Sequence, residues 1–448
     1  MRAFLKVHMK IAVIGGGITG LTAAHELSKL GHSVDILEAS DQIGGLAAGF
    51  PLNGTSLEKT YHHIFLTDRD IIDLVKELGI EATLLWRPSS IGCYENGKIY
   101  PFGTVTSLLS YSPLLFLSRI RLGIVTFYLQ KTSRWSRFIH VPAAEWMTRW
   151  CGKSVFEHLW KPLLIGKFHH FYNRVSMAWL WARIHTRGRS KTNIFAKEKL
   201  GYFQGGFAVL IDNLSKAAKK NGVTMHTHAS VRSLRANDEG KVQVQTESDS
   251  TAYDRVIATI PSSVFAKLID GDSHVSEKDI ELLRSIDYLG AVCFVFTSTQ
   301  SLAEQYWTNV LDAGLPFLVF VQHTRLIDPS MYGGEHVYYA GTYLPHDHSF
   351  FIQSEDHVCR IMLEGVQKMF PHFDTSAVRQ TFLFRLKNAQ HVVDTDYVRK
   401  IPPSLSRLPG VYLANFSQIF PEDRGTNFAV REGRKIAALV LNGLPVNG

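Results

Sequence analysis

Cysteine is scarce in this chain, and its spacing argues against two kinds of site. The 448 residues hold four cysteines, Cys93, Cys151, Cys293 and Cys359, with no C-x-x-C pair among them. Scattered cysteines argue against a disulfide framework and against a cysteine zinc site, and they suit a reducing compartment. We therefore expect a cytoplasmic protein that holds no resident metal.

Hydrophobic runs long enough to cross a membrane are lacking as well. The apolar runs 114–117 and 122–129 are far shorter than the ~20 residues of a spanning helix, and Arg119 and Arg121 separate them. We expect buried core helices here. Docking on a membrane surface and an apolar substrate tunnel are the alternatives.

Features typical of a nucleic-acid-binding protein are also missing. The chain has no zinc finger, no RNA-binding signature and no long basic tail, so we expect no nucleic-acid partner. The formal net charge of +8 favours anionic partners such as phosphates, nucleotide-linked sugars or an acidic membrane surface, although a margin for solubility explains it equally well.

We expect no secretory signal, because the residues before the first apolar run are few and mixed, and either Met1 or Met9 can be the natural start.

What the chain does contain is a glycine-rich turn close to its start. An apolar run leads into Gly15-Gly-Gly-Ile-Thr-Gly20, a G-x-G-x-x-G, after which residues 21–30 have a helical pattern. In such a turn Gly15 permits the tight bend, Gly17 lets the backbone approach a diphosphate and Gly20 lets the helix pack closely. Glu38 ends the next apolar run, where a carboxylate can accept hydrogen bonds from ribose hydroxyls. The pattern predicts a dinucleotide site with its diphosphate at a helix N-terminus.

The rest of the chain alternates between two characters. Residues 104–185 are rich in Leu, Phe, Trp and Arg and have a mostly helical pattern, whereas residues 201–260 return to alternating strands and helices. The pattern of residues 290–345 and 380–400 predicts strands that belong to a second sheet. The chain then ends in a predicted strand and a helix that begins at Gly425, whose free N–H groups can face a flavin ring. A nucleotide fold built from both ends of the chain predicts interleaved domains.

These pieces in this order resemble the FAD-dependent amine oxidase superfamily. Its members include protoporphyrinogen oxidases, phytoene-type desaturases, polyamine oxidases and, more distantly, UDP-galactopyranose mutases. The matching segments are Gly15–Gly20, Glu38, Gly44–Gly45, Gly201–Gly206, Val231, Ala258–Pro261 and Gly425–Gly433. The resemblance implies an α/β fold in which a Rossmann-like FAD-binding domain is interleaved with an α+β substrate domain, the latter a mixed sheet plus a helical subdomain. The implied segments are an FAD-binding domain in three parts (1–95, 198–288 and 404–448), a helical substrate or membrane-docking subdomain (96–197) and a substrate-domain sheet (289–403).

The resemblance also implies FAD and the residues that hold it. The diphosphate would lie on the first glycine turn and the adenosine ribose on Glu38, while Val231 would meet the adenine through its backbone. The implied cofactor-binding residues are Gly15, Gly17, Ile18, Thr19, Gly20, Glu38, Gly44, Gly45, Val231, Gly425, Thr426 and Asn427. Two departures affect the flavin contacts. Leu46 replaces an arginine that often follows the glycine doublet, and the last strand leads to Asn415 instead of an acid.

A pair of histidines after the second glycine doublet is the candidate for chemistry beside the flavin. His62 and His63 lie in a segment similar to the histidine loop of UDP-galactopyranose mutases, and imidazoles can move protons near neutral pH. The alternative is one structural histidine and one on the surface. Arg183 and Arg187, in a basic run with Arg189, can bind a carboxylate or phosphate of the substrate, although a solvated face is the more usual explanation of such a run.

The function that the resemblance implies is that of an FAD-dependent oxidoreductase. It would be an oxidase or desaturase that removes hydride from a large hydrophobic substrate. The hypothesis includes substrates with and without an anionic group. The expected partner is a small-molecule or lipid-like substrate, with peripheral membrane contact and the oligomeric state left open. A flavin-dependent, non-redox sugar mutase resembling UDP-galactopyranose mutase is the alternative. A cofactor-free prenyl-protein escort factor is a third hypothesis, which the intact glycine motif and Glu38 disfavour.

Overall fold

The computed structural model describes residues 8–190 and 197–442. Numbered along the chain, its strands are β1 (Lys10–Ile14), β2 (Ser33–Leu37), β3 (Gly49–Leu52), β4 (Thr55–Glu58), β5 (Ile64–Phe65), β6 (Leu84–Pro88), β7 (Ile91–Glu95), β8 (Lys98–Phe102), β9 (Lys199–Phe203), β10 (Thr224–His226), β11 (Val231–Ala236), β12 (Val242–Thr246), β13 (Ser250–Tyr253), β14 (Arg255–Ala258), β15 (Tyr288–Ser298), β16 (Trp307–Val310), β17 (Val319–Gln322), β18 (His336–Leu344), β19 (Val378–His391) and β20 (Val411–Leu413). Its helices are α1 (Ile18–Ser28), α2 (Arg69–Glu77), α3 (Val105–Leu109), α4 (Phe116–Lys131), α5 (Ala143–Cys151), α6 (Lys153–Val155), α7 (Lys161–Phe168), α8 (Met177–Arg189), α9 (Ala208–Lys220), α10 (Ser262–Ile269), α11 (Glu277–Arg284), α12 (Glu355–Met369), α13 (Tyr397–Lys400) and α14 (Thr426–Asn442).

A five-stranded parallel sheet carries the glycine turn. The strand order is β10-β2-β1-β14-β20, and every neighbouring pair runs parallel. The central strand β1 is buried from Ile11 to Ile14, because a parallel sheet is covered on both faces, and this explains its continuous apolar run. The strands come from three distant stretches of chain, so the predicted interleaved α/β fold is confirmed.

Helices α1 and α14 pack against each other beside this sheet. A Cβ on Gly433 of α14 would lie 2.7 Å from the carbonyl oxygen of Thr19, so the two backbones are in direct contact there. The helix expected at residues 21–30 is observed at Ile18–Ser28 and therefore begins inside the glycine motif. The contact brings the two ends of the chain together, as the sequence pattern predicts.

The N-terminus of α2 is capped by a residue that is far from it in the sequence. Asp68 occupies the N-cap position but makes no capping bond, because its carboxylate accepts the N–H of Phe65 at 2.8 Å. The side-chain oxygen of Asn427 accepts the N–H of Ile71 at 3.1 Å and satisfies the first turn instead. The start of α14 therefore holds the start of α2.

A seven-stranded mixed sheet forms the second half of the fold. Its order is β19-β15-β18-β17-β16-β7-β8, in which only β16 and β7 pair in parallel. Strands β7 and β8 form a hairpin, and its turn residues Asn96 and Gly97 have φ of 53° and 74°. This hairpin crosses the expected boundary between residues 95 and 96, so the domain bounds stay a prediction.

Helices α3 to α8, in the expected helical subdomain, share an apolar core that also includes Cys93 of β7, Leu289 of β15 and Tyr397 of α13. One face of α4 joins this core through Leu122, Val125 and Leu129. The expectation of wholly buried helices is wrong for the opposite face, where Leu117 and Ile124 are 79% and 65% exposed. Within the described ranges, no helix has both the length and the apolar character that crossing a bilayer requires.

Candidate functional site

The first glycine turn has the shape that a diphosphate requires. Gly15 adopts a φ of 101°, and a Cβ on Gly20 would lie 2.1 Å from the carbonyl oxygen of Gly15, so neither position tolerates a side chain. At Gly17 the situation differs, because the only atom near a Cβ would be the Cα of Gly45 at 3.8 Å. Gly17 is the N-cap residue of α1 and has no side chain that could cap the helix. The first N–H groups of α1 are therefore available to an anion.

The second glycine doublet packs directly on the first turn. The N–H of Gly44 donates to the carbonyl oxygen of Gly16 at 2.9 Å, and Gly44 has a φ of 131°. A Cβ on Gly45 would lie 3.0 Å from the Cα of Gly17. The structure thus brings together two glycine motifs that the sequence separates. Of the remaining residues in the turn, Ile18 is buried and Thr19 is half-buried.

Glu38 lies at the edge of this turn and is tied to it. One carboxylate oxygen accepts the N–H of Gly16 at 2.7 Å, and the other accepts the N–H and the hydroxyl of Ser40, each at 2.8 Å. A carboxylate offers about four acceptor positions, so a ribose hydroxyl can still be accommodated. The N–H of Ala229 donates to the carbonyl oxygen of Glu38 at 2.8 Å, which brings the segment that leads to Val231 to the same edge. These groups fit the adenosine diphosphate half of FAD.

The C-terminal helix presents Gly425, Thr426 and Asn427 at its start, and Thr426 and Asn427 are buried. Because the side-chain oxygen of Asn427 already accepts from α2, contact with a cofactor is left to its amide nitrogen and its backbone. Asn415 is also engaged by the protein, since it donates to the carbonyl oxygen of Ile260 at 2.8 Å. It therefore holds the end of β20 in place. The individual cofactor contacts stay predictions.

Both candidate histidines are half-buried next to the second sheet, so neither is a free surface side chain. The Nδ1 of His62 lies 2.7 Å from the carbonyl oxygen of Thr60 and must carry a proton, which leaves Nε2 as the acceptor. Burial lowers the pKa of His62 to about 4. Burial also lowers the pKa of His63 to about 3, with a further contribution from the nearby charges of Arg187 and Arg183. Both imidazoles are therefore neutral at pH 7.

Asp423 is the centre of a buried charge cluster beside the histidines. Lys167 Nζ and Arg183 Nη1 donate to its Oδ2 at 2.9 and 2.7 Å, and Trp179 Nε1 donates to Oδ1 at 3.2 Å. Burial opposes ionisation, but the positive charges of Lys167, Arg183 and Arg424 outweigh it and hold the pKa of this carboxyl well below its usual range. The carboxylate stays ionised because three cations surround it.

Lys167, Arg183, Arg187 and Arg424 together are called the basic cluster below. The expectation of a solvated face is wrong for its α8 members, since Arg183 is only 33% exposed and is bonded to Asp423. Burial lowers the pKa of Arg187, and Glu198 opposes that effect. Arg189 is exposed at the end of α8, and Lys191, the next basic residue of the run, lies outside the described residues.

Aromatic side chains enclose the same region. Arg424 donates through Nη2 to the hydroxyl of Tyr343 at 2.9 Å. Burial would raise the pKa of Tyr343, but Arg424 and Lys167 outweigh it and lower that pKa. The ring of Tyr61 meets Trp307 edge to face at 4.9 Å and lies against β18, where a Cβ on Gly341 would come within 2.9 Å of it. The basic cluster therefore lies beside apolar walls.

Several residues of this region were not predicted from the sequence, among them Asp423, Arg424, Lys167 and Tyr343. Asp423 and Arg424 immediately precede Gly425, so their place at the start of α14 was an available signal. Lys167 and Tyr343 gave no local signal, because they meet Asp423 and Arg424 only across 256 and 81 residues of chain.

Comparison with known proteins decides the family. Residues 18–441 match the profile of the family described as flavin containing amine oxidoreductase. The chain belongs to the flavin-containing amine oxidoreductase family. The superfamily predicted from the sequence and its FAD cofactor are thereby confirmed.

Individual relatives of this family member are distant. It is 22% identical to a coproporphyrinogen III oxidase of Staphylococcus aureus over 57% of its own length and 61% of that protein, so it spans less than two thirds of this relative. Among solved structures, an oxidoreductase from Methanosarcina mazei is similar with a TM-score of 0.73 at 16% identity, over 96% of this chain and 100% of that one. Reduced UDP-galactopyranose mutase reaches 0.77 at 13% identity, over 98% and 96%. At such identities the structural likeness shows the fold alone.

Proposed function

We propose that the protein is an FAD-dependent oxidase or desaturase whose substrate is a large apolar molecule carrying a carboxylate or phosphate. The observation that carries this proposal is the basic cluster. Its four cations lie within electrostatic reach of two carboxylates, Asp423 and Glu198, which leaves an excess of two positive charges among these described residues in a partly buried region. Uncompensated buried charge is costly, so an anionic ligand is the natural partner of these side chains.

The aromatic walls support the apolar part of the substrate. Tyr61, Trp307 and Tyr343 present large ring surfaces next to the basic cluster. An apolar body packed on these rings, with its anionic group on the arginines, would be held in a fixed orientation. The similarity to a protein named for coproporphyrinogen, a tetrapyrrole carboxylate, supports a substrate of this class.

The roles of the polar residues follow from their protonation states. FAD, when bound, supplies the hydride acceptor. A substrate that loses hydride must also release a proton, and His62 and His63 are weak bases because their pKa values are near 4 and 3. Arg424 and Lys167 lower the pKa of Tyr343, and its hydroxyl oxygen accepts a hydrogen bond from Arg424. We assign His62, His63 and Tyr343 to hydrogen bonding with the substrate.

Anaerobic reduction of the bound flavin tests the proposal. Purified holoprotein is mixed with porphyrinogens, polyamines, polyprenyl compounds and nucleotide sugars in turn, and bleaching of oxidised flavin is followed. We expect bleaching by an apolar anion. Bleaching by a polyamine alone would contradict the role of the basic cluster. Conversion of a nucleotide sugar that requires prior reduction by dithionite would favour the sugar mutase instead.

We also propose a cytoplasmic location with peripheral contact to a membrane. Cys93, Cys151 and Cys293 are free and buried, which suits a reducing compartment. Fractionation of expressing cells should divide the protein between the cytosolic and membrane fractions. Secretion of folded protein into the medium would contradict this part of the proposal.

A further inference from the structure

Exposed apolar side chains concentrate on one part of the surface. Of the sixteen large hydrophobic residues exposed within the described ranges, ten lie between residues 105 and 150. Six of those on α4 and at its N-cap are called the α4 apolar face: Leu115, Phe116, Leu117, Ile120, Ile124 and Phe127. Monomeric soluble proteins rarely expose so many large apolar side chains together, so this concentration requires a partner.

The spacing of these residues explains why they remain uncovered. Positions 117, 120, 124 and 127 follow one side of a helix, while Leu122, Val125 and Leu129 on the other side pack into the core of the subdomain. Helix α4 is therefore apolar on two faces, and the fold covers one of them. No described element of the chain packs on the six residues of the α4 apolar face closely enough to bury them.

The charged side chains in the stretch of chain that carries the α4 apolar face have one sign. No Asp or Glu occurs between Glu95 and Glu145. The basic residues of the same stretch are Lys98, Arg119, Arg121, Lys131, Arg134 and Arg137. Arg119 and Arg121 donate to the backbone carbonyls of Leu114 and Trp150, each at 2.6 Å, which leaves their positive charge uncompensated by an acid. Lys131 lies over the ring of Phe127 at 5.6 Å, so basic and apolar groups are side by side.

We infer that the α4 apolar face docks the protein on an anionic lipid bilayer. A bilayer offers hydrocarbon to the apolar residues and negative headgroups to the basic residues around them. A second copy of this chain fits less well, because a symmetric contact would place the same positive residues opposite each other. The inference rests on the proposed membrane location and is independent of the proposed flavin chemistry.

The docking surface is one helix away from the basic cluster. Helix α8, which carries Arg183 and Arg187, lies against α4, since a Cβ on Gly188 would come within 2.6 Å of the Gln130 side chain. The α4 apolar face and two arginines of the proposed anion site are therefore carried by helices that contact each other.

Vesicle sedimentation of the holoprotein tests the inference. We expect the protein to sediment with vesicles of phosphatidylcholine mixed with phosphatidylglycerol. Binding should be about tenfold weaker or more to phosphatidylcholine alone, and weaker at high salt because the headgroup attraction is screened. The double variant Ile124→Glu/Phe127→Glu should lose binding by a similar factor. Ile352→Glu is the matched control, since Ile352 is 84% exposed but lies outside the face, and it should bind as the wild type does.

Three readouts keep the outcomes apart. FAD content and melting temperature, measured for every variant, show whether the fold is intact. Equal sedimentation of the double variant and the wild type, or no vesicle binding by the wild type, would overturn the inference. A wild-type dimer in light scattering that the double variant abolishes would assign the face to a second copy instead. Flavin reduction measured without vesicles reports on the proposed chemistry separately.

Discussion

The carboxylate of Asp423 is the residue on which the basic cluster depends. It is 9% exposed and bonded to Lys167 and Arg183, so Asp423→Asn would leave two partly buried cations without their counter-ion. We expect a loss of about 3–5 kcal/mol in the free energy of unfolding at pH 7, measured with urea. Asp270→Asn, which removes an exposed pair with Arg284, is the control and should cost less than about 1 kcal/mol. Equal losses in the two variants would contradict the account.

Glu58 gives a pH dependence of opposite sign to that of an ordinary ion-paired acid. Its carboxyl accepts from the N–H of Phe207 and the hydroxyl of Tyr202, and burial raises its pKa from 4.5 to about 7. The folded state therefore retains a proton that the unfolded state loses, and stability falls as the pH rises across this window. Relative to Glu58→Gln, the wild type should lose melting temperature between about pH 5 and pH 7. Parallel curves throughout would show that Glu58 does not titrate there.

Single residues were predictable where local backbone geometry fixes their role. Gly15 and Gly20 are required by the turn itself, and Glu38 by its place at the end of a strand. The partners of Asp423 were not predictable, because an ion pair between residues 256 positions apart depends on how the subdomains pack and not on local pattern.

Among the helices, α2 shows that nearby sequence can indicate a helix N-terminus without indicating which residue caps it. Asp68 occupies its N-cap position, but the capping bond comes from Asn427. Asn427→Ala should lower the free energy of unfolding by about 1 kcal/mol and speed hydrogen exchange at the N–H of Ile71. Asn427→Asp keeps the acceptor and should behave as the wild type. Unchanged exchange in Asn427→Ala would contradict the cap.

Helix α4 was misjudged for a related reason. Apolar periodicity predicted its existence, but pattern alone does not tell which apolar face another element covers. Leu122 and Ile124 look equivalent in the sequence, whereas the structure buries the first and exposes the second.

At the scale of the whole molecule, one nucleotide-binding sheet is assembled from three stretches of chain. Each stretch carries its own signal, a glycine turn or a strand that leads to a helix, so the interleaving was predictable. The pairing of β16 with β7 was not predictable, because it joins residues that lie more than two hundred positions apart in the chain. The proposed substrate site lies where the two halves meet, and its chemistry therefore depends on long-range packing.

The basic cluster is proposed to recognise the anionic group of an apolar substrate. Anaerobic flavin reduction is compared for a porphyrinogen carboxylate and for its neutral methyl ester, both of which can donate hydride. We predict that Arg187→Gln weakens apparent binding of the acid by about tenfold and leaves the ester unaffected, while Arg189→Gln, exposed on the same helix, changes neither. Equal reduction by acid and ester in the wild type and in both variants would contradict the account.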